Sequence, residues 1–263
     1  MPIRDDPRLS VVVGGHTVGE NLQRAIDEGV VVLQKNGKLR MASALPTPDD
    51  GSTLVRHVTL MRHAGEFRQP CRFLNDFLFD QVYAQSAVPF GCRNCYKVKV
   101  TTDNPRQLLA LRPIVDGTGQ TAKSGIETDT GNDESRFSTL FYSLGLDRAR
   151  ALHRELRARI DAHPLLGPNI GMKIKRGCSN YELKCGPSDG YAFDPRLEAV
   201  EAYLRSLFRR KEMSRRDKLS LRLRAAGQML WVARAYLRSR RLPWRPASGK
   251  RAASPPIVNY SVD

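Results

Sequence analysis

The chain has 263 residues, a formal net charge of +16, 41% hydrophobic and 27% charged residues. That balance excludes a wholly disordered, collagen-like or membrane-embedded polypeptide, and no apolar run approaches the ~18 residues a spanning helix needs. The opening MPIRDDPRLS lacks the apolar stretch of a secretory signal, so the expectation is a cytoplasmic protein whose five cysteines stay reduced and available for metal or chemistry.

Residues 9–13 (LSVVV) read as a strand, followed by Gly14, Gly15 and a helix bearing Leu22 and Ile26. Asn36-Gly37 between two apolar runs predicts a type I′ hairpin. A turn-rich stretch over 44–52 then marks a boundary. A short strand near Val55 to Leu60 leads to a helix in which Phe73 and Phe77, and Leu74 and Leu78, repeat at i,i+4, with Cys71 at its start. Asn104-Pro105 opens another helix, Asn as N-cap and Pro at the first turn. Residues 116–136 are polar and glycine-rich and read as a long mobile loop. Leu146 to Ile160 is amphipathic through Ala149, Leu152 and Leu156, and ends at His163-Pro164. Asp194-Pro195 caps a helix carrying Leu197, Val200, Leu204 and Leu207.

Most of the excess charge follows that helix. Residues 205–251 hold sixteen basic and two acidic side chains, a net +14, while residues 1–204 are nearly neutral. Leu219, Leu223, Ala226, Leu230, Ala233 and Leu237 fall on one helical face, with arginines on the remainder and Trp231, Tyr236 and Trp244 interleaved. A near-neutral body with one cationic arm points to a polyanionic partner.

Cys92 and Cys95 form a C-x2-C pair after Pro89 and Gly91, a turn that aims two thiolates at one centre. Cys178 and Cys185 form a wider pair, and Cys71 precedes the first. Tyr96 to Val100 and Met172 to Arg176 both alternate apolar with basic residues, the period of a half-buried strand. If they pair antiparallel, Cys95 and Cys178 meet at one end of a sheet, with Cys71 or Cys185 as the fourth ligand. The metal candidates are thus Cys71, Cys92, Cys95, Cys178 and Cys185, one more than four places require. A compact pair plus distant cysteines favours a [4Fe-4S] cluster, since the second pair is wide for a zinc knuckle, with Zn as the alternative because its sites are more common.

Residues 58–66 (VTLMRHAGE) resemble the strand and Arg-His segment of histidine phosphatases. The likeness covers nine residues and brings no second catalytic histidine, so His63 is read as an ordinary histidine. Residues 117–124 (GTGQTAKS) come within one residue of a P-loop but are not followed by a helix start, and Gly14, Gly15 and Gly19 depart from G-x-G-x-x-G.

The expected fold class is α+β: a small strand-helix-hairpin unit (1–50), an α+β core with a central mixed sheet and the cysteines (51–192), a basic helical arm (193–247) and a flexible tail (248–263). The expected function is nucleic-acid binding, DNA or RNA, around a Cys-ligated metal centre, with protein partners in a larger complex. Phosphate contacts are expected from Lys97, Lys99, Lys173, Lys175, Arg215, Arg216, Arg222, Arg224, Arg234, Arg238, Arg240 and Arg241. The alternative is an iron–sulfur redox or cofactor-dependent enzyme subunit whose arm docks a protein. No catalytic residue can be named from the sequence.

Overall fold

The computed structural model describes residues 3–42, 57–63, 70–127, 137–208 and 258–262, with backbone alone for 57–63 and 126–127. Arg215, Arg216, Arg222, Arg224, Arg234, Arg238, Arg240 and Arg241 of the basic arm lie outside the described residues. Helix and strand are mixed, and no helix among the described residues is long and apolar enough to cross a membrane.

The N-terminal part contains two hairpins that use glycine differently. β1 (Val12–Val13) and β2 (His16–Thr17) are joined by Gly14 and Gly15, both at positive φ as a two-residue I′ turn requires. β3 (Val31–Leu33) pairs with β4 (Leu39–Met41) as the Asn36-Gly37 signal implied. The expected I′ turn is corrected, however: Gly37 alone has positive φ and its N–H bonds Gln34 O, so a three-residue loop ends in a left-handed glycine. Between the hairpins, α1 (Val18–Asp27) starts with a capping box in which Thr17 Oγ1 accepts from Glu20 N and the Glu20 carboxylate accepts from Thr17 N.

Residues 72–82 form the aromatic helix, but with i→i+5 bonding, a π-helix (Arg72–Val82) rather than the expected α-helix. Its buried residues fall at 73/74, 77/78/79 and 82, a recurrence of four to five positions that the wider turn keeps on one side. They share a core with Leu9, Leu22 and Leu39 from the N-terminal part and with Leu197, Val200 and Leu204 of α6 (Arg196–Leu207). Phe208 closes this core, its ring 5.5 Å from Phe73 and 4.9 Å from Phe77.

The central sheet has five antiparallel strands in the order β5-β7-β8-β6-β9: β5 (His57–His63), β6 (Cys95–Thr102), β7 (Ala122–Glu127), β8 (Phe137–Leu144) and β9 (Gly171–Arg176). One face is apolar. Tyr96, Val98, Val100, Ala122, Phe141 and Ile174 pack there against α2 (Pro105–Ala110), α3 (Arg112–Thr118) and α4 (Leu146–Asp161). Asn104 caps α2 by accepting from Gln107 N, as its sequence implied.

Three expectations fail in this part. The sheet is antiparallel throughout, not the mixed sheet expected. Within 116–136, read as a loop, residues 116–118 end helix α3 and residues 122–127 form an interior strand, and the P-loop likeness dissolves because Lys123 and Ser124 belong to β7. Composition misled because β7 buries a hydroxyl pair, Ser124 Oγ and Thr139 Oγ1 at 2.8 Å, where apolar residues are usual. Residues 258–262, read as tail, lie along the outer edge of β9: Tyr260 N donates to Ile174 O at 3.0 Å, and Arg150 Nε to Ser261 O at 2.9 Å. The backbone groups of an edge strand need partners, and this segment supplies some of them.

Candidate metal centre

β6 and β9 pair antiparallel with Tyr96 opposite Arg176, and Gly177 N donates to Cys95 O at 2.8 Å. Cys95, at the start of β6, therefore lies beside Cys178, which follows β9 and opens α5 (Ser179–Cys185). The juxtaposition expected from strand alternation is present. Cys71 reaches the same end of the sheet from the start of the π-helix.

The Cys92 to Cys95 turn is held from three directions. Glu201 of α6 accepts from Phe90 N at 2.7 Å, Gly91 N at 2.9 Å and the Tyr83 hydroxyl at 3.0 Å. Arg176 of β9 donates to Arg93 O through Nε and Nη2, and Gly145 N donates to Asn94 O at 2.8 Å. Gly91 permits a close approach here, since a Cβ would meet Leu74 Cδ2 at 2.8 Å and that side chain would have to shift. Cys92 and Cys95 end up buried, Cys71 and Cys178 half-buried.

Lys97 stands among the sulfurs. Its Nζ donates to Cys178 Sγ at 3.3 Å and lies 5.2 Å from the Tyr142 ring centre. Burial opposes its charge, but attraction to the acidic groups around it, Cys178, Cys95, Tyr142 and Cys71, outweighs burial and holds the ammonium well above its ordinary pKa. Burial raises the thiols of Cys71 and Cys92, and pushes Cys95 up to about 12. In each case Cys178 adds repulsion while Lys97 offsets part of it. A charged lysine therefore favours loss of a thiol proton beside it, and a cation binding these thiols would displace their protons. Burial also raises the hydroxyl of Tyr181, which lies 3.5 Å from Cys92 Sγ.

Of the five cysteines, four converge. Cys185 stands apart at the far end of α5: its thiol donates to Gln85 O at 3.5 Å and is raised by burial alone, with no charge felt from the others. Among the described residues, no group of three or more His, Cys, Asp or Glu closes on a single metal-ion position.

The lysines do not form the outward phosphate-facing surface expected of them. Lys97, Lys99 and Lys175 are each 4% exposed, and Lys173 is half-buried. The alternation was right, but β6 is covered on both faces, so Lys97 and Lys99 are not presented to a duplex backbone. Sequence reasoning missed Glu201 and Arg176 as the groups that hold the cysteine turn. Glu201 is a single carboxylate on an amphipathic helix, separated from Cys92 by 109 positions, and no local pattern connects them.

A solvent-open cleft of about 450 Å³, lined by Arg4, Glu20, Gln23, Arg24, Asp27 and Glu28, shares no residue with the cysteine site. Comparison with protein-family models, curated proteins and solved structures finds no match to this chain.

Proposed function

We propose that Cys71, Cys92, Cys95 and Cys178 ligate an iron–sulfur cluster of the [4Fe-4S] type, in a cytosolic protein that binds nucleic acid through its basic segment. The observation that carries the first half is the gathering of four thiols, from three separated stretches of chain, around the buried ammonium of Lys97. The sulfurs sense one another's charge without closing on one ion position. That suits a cofactor whose corners each take one thiolate better than a zinc ion with all its sulfurs at about 2.3 Å.

A cluster with four thiolates carries net negative charge, and Lys97 supplies a counter-charge where water cannot. Glu201 and Arg176 keep the Cys92 and Cys95 backbone in place whether or not the centre is loaded. The nucleic-acid half rests on the net +14 of residues 205–251, which matches phosphate in sign and density.

Anaerobic purification with metal and acid-labile sulfide analysis tests the centre. Iron and sulfide in equal amounts, about four each per chain, are expected for the cubane, whereas one zinc per chain without sulfide overturns it. For nucleic acid, log affinity for duplex DNA should fall with log salt at about 0.9 per neutralised phosphate. No affinity for DNA or RNA at low salt removes that half.

A second reading is favoured by the Lys97 bond to Cys178 sulfur. Hydrogen bonds to cluster sulfurs set reduction potentials, so the protein would be a redox or cofactor-dependent enzyme subunit whose basic segment docks a protein partner. A centre that is reversibly reduced supports it, and one that never changes oxidation state, and whose removal unfolds the chain, contradicts it.

A further inference from the structure

One five-residue segment, 258–262, is joined to the strands that carry the cysteine centre. It takes both backbone groups of Ile174 in β9: Tyr260 N donates to Ile174 O at 3.0 Å, and Ile174 N donates to Asn259 Oδ1 at 3.2 Å. That is one ladder bond with a side chain standing in for a second, so the segment caps the edge strand at a single bridge and does not extend the sheet. Contacts beyond β9 hold it there. The Tyr260 ring meets Tyr96 edge-on with centroids 5.4 Å apart, and its hydroxyl donates to Ser188 Oγ at 3.2 Å. Arg150 Nε and Arg154 Nη1 of α4 donate to Ser261 O and Val262 O.

These contacts fall on the three elements that deliver two of the cysteines. Tyr96 follows Cys95 in β6 and stands opposite Arg176, and β9 leads through Gly177 to Cys178. Val258 N donates at 3.2 Å to Glu182 Oε1 on α5, the helix that Cys178 opens. Glu182 is 1% exposed, and its Oε2 has no hydrogen-bond partner among the described residues. Undocking the segment would therefore strip a buried carboxylate of the bond that Val258 supplies. A five-residue dock with one ladder bond opens at lower cost than the interior strands beside it.

We propose that the outer edge of β9 is a strand-addition surface whose occupant is the chain's own segment 258–262, and that this segment is a latch on the cysteine centre. Docked, it clamps β6, β9 and α5 together and holds Cys178 beside Cys95. Undocked, it frees the end of β9 and the start of α5, and Cys178 loosens with them. Main-chain pairing at Ile174 supplies the hold, and the fit of Tyr260 against Tyr96 and Ser188 supplies the register. By linkage, a loaded centre tightens the latch as much as the latch tightens the centre. The proposal rests on the cluster reading only for its effect on bound iron.

The test is amide hydrogen exchange by NMR and cysteine modification by iodoacetamide in the metal-free full chain, with chelator-driven iron release from the loaded one. Tyr260→Ala should speed exchange at the Ile174 amide roughly tenfold. It should also raise modification of Cys178 relative to Cys71 on the π-helix, and quicken iron release. Amides of β8, which lies between β7 and β6, should keep their wild-type rates. Asn259→Ala, which removes the acceptor of Ile174 N from an exposed side chain, should act in the same direction. Unchanged Ile174 exchange in Tyr260→Ala overturns the proposal, as does faster exchange with no change at Cys178 or an equal rise throughout β8. Wild-type protein that takes up no iron removes the cluster reading instead, and the exchange and modification results decide the latch without it.

Discussion

The two faces of β6 are made from one alternating stretch and do opposite work. Tyr96, Val98 and Val100 face three helices and fill a dry core, while Cys95, Lys97 and Lys99 face the other way and are buried as well. Apolar burial on the first face stabilises the fold at roughly 25 cal/mol per Å². Burying ammonium groups on the second face costs free energy unless they are paired, and Lys97 is met there by the Cys178 sulfur. A variant on the helix face should therefore injure folding without regard to metal, and one on the cysteine face should injure the site while sparing, or even stabilising, the metal-free chain.

The largest expected effect is on the helix face. Phe141→Ala removes a fully buried ring and should destabilise by about 3–5 kcal/mol in denaturant unfolding. The loss should be equal with and without metal, and a loss confined to the loaded form would break the contrast between the faces. Next is Glu201→Ala, which leaves two backbone N–H groups and the Tyr83 hydroxyl without their acceptor. It should cost roughly 2–4 kcal/mol and also reduce metal content, because the Cys92 turn loses its anchor. A destabilised variant that still loads fully would show that the anchor serves the core alone.

Lys97→Met should leave the metal-free chain at least as stable as wild type and lower the reduction potential of a loaded cluster by roughly 60 mV, one tenfold step in a one-electron equilibrium. A potential unchanged from wild type contradicts the role given to this ammonium. Metal uptake should also depend on pH. Burial keeps the thiols of Cys71, Cys92 and Cys95 above their ordinary range, the last at about 12, so all three are protonated at neutral pH and ligation releases protons. Raising pH from about 6 to 8 should therefore tighten metal binding, and pH-independent uptake would count against thiolate ligation.

How much of this the sequence revealed follows from the range of each signal. Capping residues, glycine turns and the amphipathic α4 are local and were legible, as was the alternation that pairs β6 with β9 and joins Cys95 to Cys178. Burial of the outward-reading lysines was not, because alternation gives the face of a strand but not whether that face is covered. β7 was hidden by its hydroxyl pair, and the π-helix by an i,i+4 repeat that an α-helix would also show. Glu201 and Arg176 act on backbone atoms, and backbone partners leave no residue-type pattern.

The central claim is that Cys71, Cys92, Cys95 and Cys178 form one centre from which Cys185 is excluded, and paired metal analysis of Cys178→Ser and Cys185→Ser addresses it most directly. Cys178→Ser should lose most of its bound iron and sulfide, while Cys185→Ser should keep the wild-type content. Loss of metal from Cys185→Ser with retention in Cys178→Ser would contradict the account.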